Sequence, residues 1–218
     1  MKDHVSGIRQ YFDTTAARFD EIYSLQKPWG QKAIDALFRK TVNQRYDLIM
    51  ADLRDMTGEA VLDVGTGSGR YAVELAVRGA MVTGVDFSSE MIVLAREAAR
   101  RRGVGDRCRW LQGDFMQLNT GGPFDVSLAI GFFDYIRDPQ PILQRMAQLT
   151  TKTLYLSFPK RWTARTGIRK LRLTWNGCYV RFYTRRQVDE LARNLGRTPV
   201  SVQVTSVNRD YIVKVGLA

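Results

Sequence analysis

A short apolar run followed by regularly spaced glycines is the part of the sequence best suited to binding a ligand. Residues 60–64 read as a buried strand, Gly65, Gly67 and Gly69 follow at alternate positions, and a helical pattern then runs from Tyr71 to Val77. Glycines at a strand-to-helix turn permit positive φ angles and let a ligand approach the backbone, and the helix N-terminus offers free N–H groups. The pattern therefore predicts a ligand-binding turn, although a G-x-G-x-G run alone is also compatible with a flexible turn.

Two further strand-like stretches carry an acid where they end. Asp86 follows the apolar run Ala80–Val85 and lies 17 positions after Gly69. This is close to the ~20-residue spacing at which a carboxylate binds ribose hydroxyls. The stretch Cys108–Phe115 contains Asp114 near its end. Because the carboxyl ends of parallel strands meet at one edge of a sheet, these residues favour a shared binding crevice.

The motif Asp63-x-Gly65-x-Gly67-x-Gly69 resembles the signature of the class I S-adenosylmethionine-dependent methyltransferases. The resemblance implies S-adenosylmethionine as cofactor and S-adenosylhomocysteine as product. It implies that Asp63 and the glycine loop hold the methionine part, that Asp86 binds the ribose hydroxyls and that Asp114 accepts a hydrogen bond from the adenine amino group. The other expected cofactor-binding residues are Thr66, Phe87, Met91, Gly113, Phe115 and Ile130.

The expected catalytic residues are Tyr23, Asp134 and Tyr135. Residues 11–23 resemble the N-terminal arm of small-molecule methyltransferases of this class, which borders the substrate, and so Tyr11 and Tyr23 are expected to bind the acceptor. The arm and the end of the fourth strand together resemble the magnesium-protoporphyrin O-methyltransferases. Tyr23 matches their arm tyrosine by place, and Asp134 stands where they have a histidine. An aspartate there could orient or deprotonate an amine, or it could cap a helix.

The net charge of +11 is concentrated after the fifth strand, since no acid occurs between Asp138 and Asp189. Clustered arginines bind carboxylate or phosphate groups well. We therefore expect a small, anionic or amphiphilic acceptor, methylated on oxygen or nitrogen, or one presented at an anionic membrane surface. The arginines expected to bind it are Arg165, Arg169 and Arg172.

Two alternatives for this basic stretch stay open. It could be a solvated face. With Trp162 and Trp175 among its aromatics, it could instead serve an RNA (tRNA or rRNA) methyltransferase or a nucleic-acid-binding module. The sequence has no Asn-Pro-Pro-Tyr-like tetrapeptide for base amines, and this makes nucleic acid the less favoured partner.

The pattern of elements predicts an α/β, Rossmann-like domain over residues 1–218. Its seven-stranded sheet is expected to be mostly parallel, with the last strand antiparallel in a hairpin and helices on both faces. Two separate helices are predicted over Ala33–Val42 and Arg45–Leu53. The expected parts are an N-terminal helical arm (1–42), a cofactor-binding core (45–158), a substrate-side insert (159–183) and a C-terminal helix with a β-hairpin (184–218).

Composition sets the remaining expectations. No apolar run approaches the ~20 residues of a transmembrane helix, and the first residues lack the apolar core of a signal peptide. The two cysteines, Cys108 and Cys178, have no metal-like spacing and His4 is the single histidine, so we expect no metal site and a reduced, cytoplasmic protein. The sequence carries no signal from which an oligomeric state could be predicted.

Overall fold

The computed structural model describes residues 42–161 and 179–218. The predicted arm up to residue 41 and most of the predicted insert lie outside these residues. No helix within the described ranges is long and apolar enough to cross a membrane.

A seven-stranded mixed sheet forms the centre of the fold, in the order β3-β2-β1-β4-β5-β7-β6. Neighbouring strands from β3 to β5 are parallel, and β7 is antiparallel to both of its neighbours. This confirms the predicted fold class. The strands are β1 (Ala60–Val64), β2 (Met81–Asp86), β3 (Cys108–Gln112), β4 (Phe124–Ala129), β5 (Thr150–Pro159), β6 (Ser201–Val207) and β7 (Asp210–Gly216).

Five α-helices accompany the sheet in the described part of the chain. α1 occupies residues 42–52, and there the prediction of a break between Val42 and Arg45 is wrong. The others are α2 (Arg70–Val77), α3 (Ser89–Arg101), α4 (Gln140–Leu149) and α5 (Arg185–Arg193).

Local sequence explains where two of these helices begin. The Ser88 hydroxyl accepts a hydrogen bond from the Met91 N–H at the start of α3. At α5, Thr184 and Gln187 form a reciprocal capping box, in which each side chain accepts from the other residue's N–H. Such caps satisfy N–H groups that have no partner within the helix.

The helices bury a separate apolar cluster on each face of the sheet. On one face α1 and α2 pack residues such as Ile49 and Leu75 against Leu128. On the other face α4 and α5 pack residues such as Met146 and Val188. The sheet is therefore covered on both sides, which leaves the carboxyl edge of the parallel strands as the natural place for a site.

The β6–β7 hairpin completes the sheet from the far end of the chain. Val207 pairs with Asp210, and Asn208 in the turn between them has a positive φ of 44°. Asparagine tolerates this conformation better than most residues. The hairpin places β7 between β5 and β6, so the last strand along the chain is an interior strand of the sheet.

Candidate active site

A cavity of about 320 Å³ opens at the carboxyl edge of the parallel strands. It combines the ends of β1, β2 and β4 with the loop after β3, as the sequence predicted for a shared crevice. The predicted cofactor-binding and catalytic residues that line it are Asp63, Gly65, Thr66, Gly67, Asp86, Phe87, Met91, Gly113, Asp114, Phe115, Ile130, Asp134 and Tyr135.

The three glycines after β1 have positive φ angles but different surroundings. A Cβ on Gly65 would lie 2.5 Å from the Phe132 ring, so that position must be bare to let the loop after β4 approach. A Cβ on Gly67 would meet no atom of the described residues within 4 Å, so among these residues there is open space beside its backbone. Gly69 is outside the cavity lining and packs against Ala95 and Trp110. Of the three, Gly69 therefore serves close packing between elements.

Asp63 lies beneath the glycine loop and is only 2% exposed. Its carboxylate accepts a hydrogen bond from the Thr66 hydroxyl at 2.7 Å. Burial raises the pKa of Asp63 to about 7, and the nearby Asp86 adds to the rise, while hydrogen bonds from Thr66 and from the Ala72 backbone oppose it. The carboxyl group is thus poised to change its charge near neutral pH when a cation arrives.

The Asp86 carboxylate is held by two backbone N–H groups. One oxygen accepts from Gly67 at 2.9 Å and the other from Ser88 at 3.0 Å. The Gly113 N–H donates to the Asp86 carbonyl, which ties the loop after β3 to the end of β2. On that loop, Asp114 is exposed and accepts from the Met116 N–H. Backbone N–H groups therefore fix the position of both carboxylates at the edge of the cavity.

A short turn, Phe133–Tyr135, forms the cavity wall after β4. Asp134 within it is 7% exposed, and its carbonyl accepts a hydrogen bond from the Arg181 N–H at 2.8 Å. The Tyr183 hydroxyl donates to the Phe133 carbonyl at 3.1 Å, and the Phe133 ring stacks on Phe158 at 4.9 Å between centroids. The turn is therefore anchored from behind by β5 and by the segment before α5.

Comparison with known proteins identifies the domain. The family model of a methyltransferase domain matches residues 61–153, which run from β1 into β5. Residues 61–153 are therefore a methyltransferase domain of class I, the S-adenosylmethionine-dependent class.

The curated relatives match this chain over different shares of its length. A magnesium-protoporphyrin O-methyltransferase of Synechocystis is 28% identical over 174 residues, which is 78% of this chain and 74% of that protein. A release factor glutamine methyltransferase of Chlorobaculum tepidum is 39% identical over 85 residues, 36% of this chain, and the chain spans only 29% of its length. A crystal structure of the Synechocystis enzyme with bound S-adenosylhomocysteine has the same fold, with a TM-score of 0.76 and 24% identity over 97% of this chain and 98% of that one.

The residues predicted to bind the acceptor are not in the described ranges. Tyr11 and Tyr23 precede residue 42, and Arg165, Arg169 and Arg172 fall between residues 161 and 179. Their roles stay predictions.

Within the described ranges, the cavity is also lined by four charged residues that the sequence did not indicate as site residues: Arg45, Arg70, Arg209 and Asp210. Arg45 Nη1 lies 3.2 Å from Asp210 Oδ2 across 165 positions of sequence. No local motif marks either residue, because the pair exists only once the β6–β7 hairpin has met α1. In the described ranges, no three residues of the histidine, cysteine, aspartate and glutamate types cluster as metal ligands would.

Proposed function

We propose that this methyltransferase transfers a methyl group from S-adenosylmethionine to an oxygen or nitrogen atom of a small, anionic or amphiphilic acceptor. The observation that carries the proposal is a single cavity lined both by the glycine loop with its acids and by the Asp134–Tyr135 turn. Its volume of about 320 Å³ is in the range of small-ligand pockets. The resemblance to a small-molecule O-methyltransferase supports the acceptor class.

The cavity residues fit this cofactor. The open space beside Gly67 lets a ligand approach the backbone of the loop. Asp63 suits the ammonium of the methionine part, and the fixed carboxylate of Asp86 suits ribose hydroxyls. Asp114 and the apolar side chains of Phe87, Met91 and Phe115 suit the adenine. When bound, S-adenosylmethionine supplies an electrophilic methyl group on a sulfonium.

The residues of the protein contribute mainly orientation. In-line displacement at a methyl group gains much of its rate from holding the acceptor atom in line, and a base is needed only when that atom carries a proton. Asp134 and Tyr135 lie on the acceptor side of the cavity in this proposal. Asp134 would orient a hydroxyl or amine and take its proton, and the anchored turn would keep it in place.

The first experiment measures binding of S-adenosylhomocysteine to the full chain by calorimetry. We expect Asp86→Ala to weaken binding by about 1–3 kcal/mol, because it removes hydrogen bonds to the ribose hydroxyls. The matched control is Asp106→Ala, an exposed aspartate in the turn before β3 and outside the cavity lining, and it should leave binding unchanged. If the wild-type protein does not bind, or if both variants bind equally well, the cofactor assignment fails.

The second experiment identifies the acceptor. Mass spectrometry of co-purified ligands is followed by transfer of a labelled methyl group to amines, carboxylates, phenols, lipids and tRNA. Label in a small acidic or amphiphilic molecule supports the proposal. Label in tRNA alone, with a gel shift of tRNA at physiological salt, would replace it by the RNA alternative.

A further inference from the structure

Arg145 of α4 contacts the loop after β3, residues 113–119, from outside the cavity. Its Nη1 donates a hydrogen bond to the Met116 carbonyl, and its Nη2 donates to the Leu118 carbonyl at 2.6 Å. Its guanidinium carbon lies 5.0 Å from the centre of the Phe115 ring, within the range of a cation–π contact. Phe115 lines the cavity and Arg145 does not. One helix side chain therefore holds three residues of a loop that borders the site.

The hydrogen bonds from Arg145 join the middle of this loop to a helix. Residues 113–119 contain neither helix nor strand. The N–H groups of Gln117 and Leu118 both donate to the Asp114 carbonyl, so these two bonds close a turn within the loop. The Gly113 N–H ties the beginning of the loop to the end of β2. The position of the turn relative to the rest of the fold therefore depends in part on Arg145.

Two hydrogen bonds in series connect Arg145 with the carboxylate of Asp114. The Met116 carbonyl accepts from Arg145, and the Met116 N–H donates to Asp114 Oδ1 at 2.9 Å. Asp114 lines the cavity but its side chain is exposed, so packing alone does not fix it. Because Met116 makes both bonds, a shift of its peptide groups would move the Asp114 carboxylate as well.

We propose that Arg145 is a positioning residue that gives the cavity its selectivity for adenine, by holding the Asp114 carboxylate in place through Met116. This inference rests on the proposed function, which puts the adenine at Asp114. A carboxylate accepts a hydrogen bond from the amino group of adenine and repels the carbonyl oxygen of hypoxanthine. Hypoxanthine also has an N–H on the neighbouring ring nitrogen, and a carboxylate free to shift could accept from it. Discrimination between the two bases therefore requires a carboxylate that stays in position.

The geometry of the contact requires a guanidinium at position 145. Its two terminal nitrogens reach carbonyls two residues apart, while its planar face lies over the Phe115 ring. An ammonium is a compact charge on a flexible stem and cannot make all three contacts at once. Arg145→Lys should therefore resemble Arg145→Met more than the wild type.

The test measures, by calorimetry on the full chain, the dissociation constants of S-adenosylhomocysteine and of S-inosylhomocysteine, its hypoxanthine counterpart. We expect the wild type to prefer the adenine ligand about tenfold or more, and Arg145→Met to reduce this preference to about threefold or less. Asp114→Asn should reduce it in the same way, because an amide can accept from the amino group or donate to the carbonyl oxygen. The double variant should have the same preference as Asp114→Asn alone, since both substitutions act on one contact.

The matched control is Arg197→Met. Arg197 also donates to two backbone carbonyls, those of Ala147 and Thr150, and lies outside the cavity lining. Its substitution removes the same kind of hydrogen bond and should leave the preference unchanged. A loss of folded protein weakens both ligands equally, so the ratio of the two constants reports on the loop and not on stability.

The remaining outcomes would overturn the inference in distinguishable ways. If Asp114→Asn loses the preference and Arg145→Met keeps it, the inference is wrong and the proposed function stands. It is also wrong if Arg197→Met loses the preference, or if the double variant loses more than Asp114→Asn. If the wild type binds both ligands equally well, Asp114 does not select adenine and Arg145 has no selectivity to support. If the wild type binds neither ligand, the proposed function has failed and the inference with it.

Discussion

At the scale of single residues, the buried carboxyl group of Asp63 links ligand binding to pH. With a pKa raised to about 7, it is protonated in the ligand-free protein below neutral pH. A ligand ammonium beside it would stabilise the charged form, so binding would release a proton in that range.

We expect S-adenosylhomocysteine to bind about tenfold more weakly at pH 6 than at pH 8, since at pH 6 the proton must first leave Asp63. Calorimetry in buffers of different ionisation enthalpy measures both the affinity and the proton released.

Asp63→Asn provides the control, because its amide does not titrate. The affinity of this variant for S-adenosylhomocysteine should depend little on pH between pH 6 and pH 8.

The raised pKa of Asp63 also determines how the stability of the wild type changes with pH. Between about pH 4 and pH 7 the folded state holds a proton that the unfolded state has lost, so the free energy of unfolding should fall as the pH rises. If the wild type binds S-adenosylhomocysteine equally well at pH 6 and pH 8, Asp63 does not pair with the ammonium group of the ligand.

The sequence indicated those site residues that lie close to a motif. Asp86 could be found because it ends a strand at a characteristic distance from the glycines. The spacing could not distinguish the glycines from each other, and the packing of Gly69 against Ala95 and Trp110 appears only in the fold. The pair of Arg45 and Asp210 could not be predicted from the sequence, since the two residues are 165 positions apart and neither segment carries a motif that points to the other.

At the scale of elements, the anchoring of the Phe133–Tyr135 turn depends on Tyr183. This tyrosine is fully buried, its ring meets Phe158 edge-on at 5.0 Å, and its hydroxyl satisfies the Phe133 carbonyl. The segment before α5 thereby holds the turn that carries Asp134.

Tyr183→Phe should lower the free energy of unfolding by about 1–2 kcal/mol, because it keeps the ring but leaves the Phe133 carbonyl without this donor. Urea denaturation measures the change. Tyr211→Phe, at a half-buried position of β7, is the matched substitution and should cost less than about 0.5 kcal/mol. Equal midpoints for the two variants would show that the Tyr183 hydroxyl does not hold the turn.

Local sequence signals indicate where a helix begins, but they do not determine which face of the helix is buried. The caps at Ser88 and Thr184 can be predicted from the sequence because a cap is an interaction between residues close in sequence. The spacing of apolar residues alone favours Met91, Leu94, Ala95 and Ala98 as the buried stripe of α3, whereas Ile92 and Ala99 are buried and Leu94 and Ala98 are only half-buried. The face that a helix buries is decided by the neighbouring α2 and β3, which a periodic pattern does not specify.

At the scale of the whole molecule, part of the positive charge is used inside the fold. Arg78 Nη1 donates to the carbonyls of Met50 and Leu53, near the end of α1, at 2.6 and 2.8 Å. Carbonyls at a helix C-terminus have no partner within the helix, and a guanidinium satisfies them well. Arg107 donates in the same way to the Ala76 carbonyl of α2, and Arg197 to the carbonyls of Ala147 and Thr150 around the end of α4. The net charge of +11 is thus a poor measure of the charge offered to partners.

Arg78→Lys should lower the free energy of unfolding by about 1–2 kcal/mol although the charge is kept, because an ammonium cannot reach both carbonyls and also replace the Nε contact to Glu74. Arg96→Lys, at an exposed position of α3, should stay within about 0.5 kcal/mol of the wild type. Urea denaturation of both variants measures the two changes in the free energy of unfolding. If the two variants lose the same free energy of unfolding, the positive charge of Arg78, and not the geometry of its N–H donors, accounts for its contribution to stability.

The interior position of β7 has a consequence for the order in which the protein is made. β6 leaves the ribosome first, yet the strand it pairs with in the described sheet is β7. Until β7 has left the ribosome and docked, β5 has no described strand on that side and β6 has no described strand to join. Open strand edges pair readily with other chains. The interval between the emergence of β5 and the docking of β7 therefore sets how long the nascent chain is exposed to misassociation.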